Sequence, residues 1–134
     1  MSDFVLTIPV LEETRREIES RLIDAGAHTV LIVDQAGNII TNCGKAHNGI
    51  LDFTSLAALT AANFAATSQI ARLIGEDDFS LLFHKGKKDS IHFARLGDEF
   101  ILVTIFGDDV SLGIIRLKVS ELMHRLSSIL GISV

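Results

Sequence analysis

The chain is organised around residues 53–75, which read Phe53-Thr-Ser-Leu-Ala-Ala-Leu-Thr-Ala-Ala-Asn-Phe-Ala-Ala-Thr-Ser-Gln-Ile-Ala-Arg-Leu-Ile-Gly75. Alanine is the strongest helix former, and the stretch has no proline and no glycine before Gly75, so it predicts one long helix. Thr54 or Ser55 can cap its start, and Gly75 suits the left-handed residue that follows a last helical turn. We expect the rest of the chain to pack around this central helix.

A rotation of about 100° per residue divides the helix into two sides. The predicted core side carries the larger aliphatic residues, namely Leu56, Leu59, Ile70, Leu73 and Ile74. The opposite side carries small, uncharged residues: Ala58, Ala61, Ala62, Ala65, Ala66, Ser68 and Gln69. Because a solvated helix normally carries lysine and glutamate there, this side favours close docking of a second polypeptide. The alternatives are a helix buried on both sides within its own domain, or simply an alanine-rich helix.

The composition limits the function classes. A chain of 134 residues with 48% hydrophobic residues predicts one folded domain, residues 1–134. The net charge of −5 and the scattered basic residues argue against a nucleic-acid partner. The single cysteine, Cys43, allows no internal disulfide, and the N-terminus does not read as a secretory signal, so we expect a cytoplasmic protein. The polar residues of the central helix argue against membrane insertion.

The remaining elements follow from hydrophobic periodicity and turn residues. A helix starts at Pro9 and ends at Gly26, and a last helix is capped by Ser111 and ended by Gly131. Five strands are predicted, at residues 27–33, 38–43, 79–84, 90–95 and 99–106. The last strand is the most apolar and should lie at the centre of the sheet. The order is α-ββ-α-βββ-α, which predicts an α/β (α+β) fold: a five-stranded antiparallel sheet with helices packed on it.

No pattern of catalytic, cofactor-binding or metal-binding residues emerges. The glycines between Gly37 and Lys45 do not have the spacing of a phosphate-binding loop. Cys43 could meet His47 across a loop, and His84 could face His92 across a hairpin, but two ligands do not make a closed zinc site. A lone cysteine among apolar residues is more often a packing residue. We therefore expect no enzyme activity, no cofactor and no metal.

Several short motifs occur in a characteristic order. They occupy residues 33–39, 56–67, 71–75, 79–86, 90–92 and 111–117. Together with the element order, they resemble the roadblock family, relatives of the dynein roadblock light chain. Within that family they resemble the bacterial MglB-like branch. The resemblance covers essentially the whole chain, which ends soon after the last helix, whereas some members of that branch carry a C-terminal extension.

The resemblance implies a homodimer that regulates a small Ras-like GTPase of the cell-polarity type. It implies that one strand pairs with its copy, so that one sheet continues across two chains; its residues are Phe79, Ser80, Leu81, Leu82, Phe83 and His84. The two central helices would lie side by side and dock on the GTPase without inserting an arginine finger. The docking residues implied are Ala58, Ala62, Asn63, Ala65, Ala66 and Gln69. The alternatives are a dimeric scaffold without effect on hydrolysis, or a ligand-sensing or enzymatic domain of similar layout.

Overall fold

A computed structural model of the chain describes residues 6–44, 52–79 and 82–133. The helices are α1 (Ile8–Ile18), which continues as a π-helical turn over Glu19–Ile23, α2 (Phe53–Leu73) and α3 (Leu112–Leu130). The strands are β1 (Thr29–Asp34), β2 (Ile39–Gly44), β3 (Leu82–Lys85), β4 (Asp89–Leu96) and β5 (Phe100–Gly107). The predicted order of elements is therefore confirmed.

The five strands form one sheet in the order β2-β1-β5-β4-β3, and every neighbouring pair is antiparallel. β5 occupies the centre, as its apolar sequence predicts. The side chains of Val30, Leu31, Ile32 and Val33 on β1 are all fully buried. Since alternate residues of a strand point to opposite faces, helices must cover both faces of the sheet.

The helices divide between these two faces. Along β1 and β5, Val30, Ile32 and Leu102 belong to the core formed with α1 and α3. The alternating residues Leu31 and Val103 belong to the core formed with α2. The result is a three-layer structure in which α2 alone among the described helices covers one face.

α3 has the form that its sequence predicts. The Ser111 hydroxyl accepts a hydrogen bond from the Ile114 backbone N–H at 3.2 Å, and Gly131 adopts a left-handed φ of 69°. Its buried residues recur at steps of three and four, and they are Ile115, Val119, Leu122, Leu126 and Leu130. Burial of each aliphatic side chain contributes roughly 2 kcal/mol, so α3 is firmly fixed to its face of the sheet.

Most predicted boundaries differ from the structure by one or two residues, and two of the differences concern the surroundings of α2. The N-cap of α2 is Asp52, whose carboxylate accepts a hydrogen bond from the Ser55 backbone N–H at 3.0 Å, and not Thr54 or Ser55. Phe79 was predicted to start the third strand but lies outside it, and the described residues of that strand are Leu82–Lys85. Gly75 does adopt a left-handed φ of 84° just after α2, as expected.

Candidate functional site

The orientation of α2 on the sheet differs from the prediction. Its buried residues are Ala57, Thr60, Phe64 and Ala71. Four of the five residues assigned to the core are exposed: Leu59 is 69% exposed, Ile70 54%, Leu73 85% and Ile74 66%. Leu56 alone of that set packs against the core. The core side of α2 is therefore wrongly predicted for these four residues.

Close packing of the helix against the sheet explains this orientation. Phe64 contacts Phe93 of β4 edge to face, with ring centroids 6.0 Å apart. Small residues such as Ala57 and Ala71 let the helix backbone approach the sheet around this contact. The β1–β2 turn also lies against the helix, because a Cβ on Gly37 would stand 3.0 Å from the Ala58 Cα. Phe64 therefore identifies the side of α2 that packs on the sheet. The prediction followed the aliphatic residues instead and so chose the wrong side.

The outward surface of α2 consists of two parallel stripes at helical spacing. We call the first the small stripe, and its residues are Ala58, Ala62, Ala65 and Gln69. We call the second the apolar stripe, and its residues are Leu59, Ala66, Ile70 and Leu73. Every one of these residues is exposed, and none is charged. Of the six predicted docking residues, five lie in the stripes, and Asn63 is half-buried beside them.

A polar network near the end of α2 fixes the segment that connects α2 to β3. The Arg95 guanidinium of β4 donates to the Asp78 carboxylate at 2.9 Å and to the Ser68 hydroxyl at 3.1 Å. It also lies 5.4 Å from the centre of the Phe64 ring. Asp78 in turn accepts from the Phe79 backbone N–H at 2.9 Å. This network was not predicted from the sequence, although strand alternation places Arg95 and Phe93 on the same face.

β3 lies at an edge of the sheet. Among the described strands it pairs with β4 alone. Of the residues predicted to mediate dimerisation, Leu82 and Phe83 are half-buried, and His84 and Phe79 are exposed. Ser80 and Leu81 lie outside the described residues. The outer edge of β3 therefore has backbone groups that a further strand could pair with.

The other candidates for chemistry do not form a site. Cys43 is buried, and burial raises the pKa of its thiol to about 11, so the reactive thiolate is scarce near neutral pH. His84 pairs in register with Ile91, and His92 with Phe83, so the two imidazoles point to opposite faces. The described residues contain no group of three or more metal-ligating side chains. His47 falls outside the described part of the chain.

None of the described helices combines the length and the hydrophobicity needed to cross a bilayer.

Known proteins share both the sequence pattern and the structure. The Roadblock/LC7 domain model matches residues 17–106. Myxococcus xanthus MglB is 37% identical, with 93% of this chain and 92% of that chain covered and a TM-score of 0.83. The gliding protein MglB from Thermus thermophilus is 26% identical, with 98% of each chain covered and a TM-score of 0.86. A structure described as MglB with a tetrameric arrangement is also 26% identical, with 98% and 97% covered and a TM-score of 0.86.

The matched segment runs from the end of α1 to the end of β5 and includes α2, the edge strand β3 and the whole sheet. The chain therefore belongs to the Roadblock/LC7 domain family, and within it to the MglB-like branch.

Proposed function

We propose that this chain forms a homodimer that binds a small Ras-like GTPase through α2 and stimulates its hydrolysis of GTP. The observation that carries the proposal is the exposed, uncharged outer surface of α2. A single chain gains nothing by exposing Leu59, Ile70 and Leu73 to water. A partner that covers them explains why they are there.

The apolar stripe and the β3 edge support self-association. In the proposed dimer, the apolar stripes of two α2 helices pack against each other, and β3 pairs with its copy to continue the sheet. The face under α2 also includes Ile91 and Ile105, register partners on β4 and β5 that are only half-buried. The partner's helix would cover them. The similar MglB structure with a tetrameric arrangement supports self-association in general.

The small stripe supports the GTPase contact. Once the apolar stripes face each other, Ala58, Ala62, Ala65 and Gln69 remain exposed on each helix. Their short side chains let another backbone come close, and the absence of charge avoids a desolvation penalty. The chain brings no catalytic group of its own in this proposal. It acts by positioning residues that the GTPase already has.

The decisive variant is Ala62→Arg, at the centre of the small stripe. A long, charged side chain there should block close approach, and we expect binding of the GTPase to fall at least about 100-fold while the fold is kept. Binding can be measured by titrating the small Ras-like GTPases of the source organism, expressed singly and loaded with GTP. Ser128→Arg is the matched control, because Ser128 is an exposed residue on α3 at the opposite face.

Wild-type binding by a folded Ala62→Arg protein would contradict the docking surface. A turnover assay separates the two regulatory alternatives. Faster release of phosphate in the presence of the wild-type chain supports an activator, whereas tight binding with unchanged turnover supports a scaffold.

A further inference from the structure

The face of the sheet opposite α2 contains an open cleft between α3 and β4. α1 lies over β2, and α3 lies over β4. The order of the strands places β3 beyond β4 at this edge, so the sheet extends past the strand that α3 covers. The cleft forms where this cover ends, and it is lined by His92, Ala94, Arg116, Val119, Ser120, Met123 and His124.

The polar groups of this cleft are all able to donate hydrogen bonds, and none is a carboxylate. Arg116, Ser120 and His124 follow one another at steps of four residues and so form one ridge along α3. Among the described residues, Arg116 has no carboxylate partner. Arg125, the next arginine on the same helix, differs, because its guanidinium donates to Glu17 at 2.9 Å. The cleft therefore keeps an unneutralised positive charge.

His92 lies at the floor of the cleft and is only 5% exposed. Its Nδ1 atom is buried, and no described residue hydrogen-bonds to it. The same is true of the hydroxyl of Thr104, its register partner on β5. A buried polar atom without a partner costs free energy, and a bound ligand or ordered water is the usual remedy.

From these observations we propose that the cleft between α3 and β4 binds an oxyanion of the phosphate type, with Arg116, Ser120 and His124 as donors on the helix and His92 as the floor. Burial and the nearby Arg116 guanidinium lower the pKa of His92, so the empty cleft keeps this ring neutral. A bound anion reverses the effect, since it favours the imidazolium. The charged and titratable groups that line the cleft with His92 are Arg116 and His124, and its sheet neighbours Thr104 and Phe83 are uncharged. Asp78 and Arg95 line a neighbouring pocket with His92 and form an ion pair with each other.

The test is an NMR titration of the full chain with inorganic phosphate, which follows the imidazole resonances in a phosphate-free buffer. We expect a saturable response of His92 and His124 and a higher pKa for His92 at saturation. Arg116→Gln should weaken the binding about tenfold, the ratio for one lost charge-assisted hydrogen bond. Arg125→Gln removes the same charge from the same helix and should leave the binding unchanged.

A response that is linear in phosphate concentration, or that Arg116→Gln leaves unaltered in a folded protein, would overturn the proposal. A parallel titration with glycerol phosphate identifies the source of the anion. A stronger response to the ester assigns the cleft to a phosphoryl group carried on a larger molecule, and a stronger response to phosphate assigns it to the free anion.

Discussion

The two faces of the sheet are built on opposite plans. On one face, α3 buries five aliphatic residues, and Ile114 and Leu117 are its exposed exceptions. On the other face, α2 buries two alanines, a threonine and one phenylalanine, while its leucines at positions 59 and 73 point to solvent. α3 buries most of its large residues in its own domain, whereas α2 leaves most of its large residues exposed, and in the proposed dimer another chain covers them.

This difference shows that an exposed aliphatic row can be as regular as a core. The apolar stripe of α2 recurs at helical spacing, as the core stripe of α3 does. The two helices differ in the residues through which they contact the sheet. α3 meets the sheet with leucine and isoleucine, and α2 meets it with residues small enough for the backbone to come close.

The largest effect is expected for Leu122→Ala, in the core under α3. Leu122 is fully buried, so its truncation leaves a cavity, and the free energy of unfolding should fall by about 2–5 kcal/mol. Urea denaturation followed by circular dichroism measures this loss. It should be the same at every protein concentration, since the residue packs within one chain. A loss below about 1 kcal/mol would show that the α3 face is not the stable half of the molecule.

The second effect concerns the apolar stripe of α2. In the proposed dimer, the double variant Leu59→Lys/Leu73→Lys places two charges in the interface and should raise the dissociation constant about 100-fold or more. Size-exclusion chromatography with light scattering measures the mass of the particle, and circular dichroism checks that the helices are kept.

The matched control is Leu117→Lys, because Leu117 is an exposed leucine of α3 with 55% of its surface accessible. This variant should associate as the wild-type chain does. A monomeric wild-type protein, or a double variant that keeps the wild-type mass, would show that the exposed aliphatic residues of α2 do not mediate self-association.

The smallest effect concerns the pH dependence of stability. Burial lowers the pKa of His92 in the folded chain, so the unfolded chain binds the proton more readily. Stability should therefore fall as the pH drops below about 6.5, the ordinary pKa of histidine. His92→Gln should flatten this part of the profile in a phosphate-free buffer, whereas the exposed His84→Gln should not. Equal slopes for both variants between about pH 7 and 5 would exclude His92 as the cause.

Much of the fold could be predicted from the sequence because it depends on local signals. The stripe of α3 contains one buried row with charged residues around it, so its orientation is unambiguous. The apolar run of β5 needs cover on both faces, which requires a central position. The exposure of Ala58, Ala62 and Ala65 was also predictable, since no larger aliphatic side chain lies in their stripe of the helix.

Other features depended on contacts between distant parts of the chain. Helical periodicity gives the angles between residues but not the direction in which the helix faces, and α2 carries no charge before Arg72 that could mark its wet side. Phe93 and the turn at Gly37 determine that direction, and they come from other elements. The cleft at His92 likewise exists because two helices leave part of a five-stranded sheet uncovered. The identity and order of the helices and strands follow from the sequence, since they depend on near neighbours. The exposure of Leu59, Ile70 and Leu73 and the opening of the cleft at His92 follow only from the packing of the helices on the sheet, because they depend on how each helix is turned and how much of the sheet it covers.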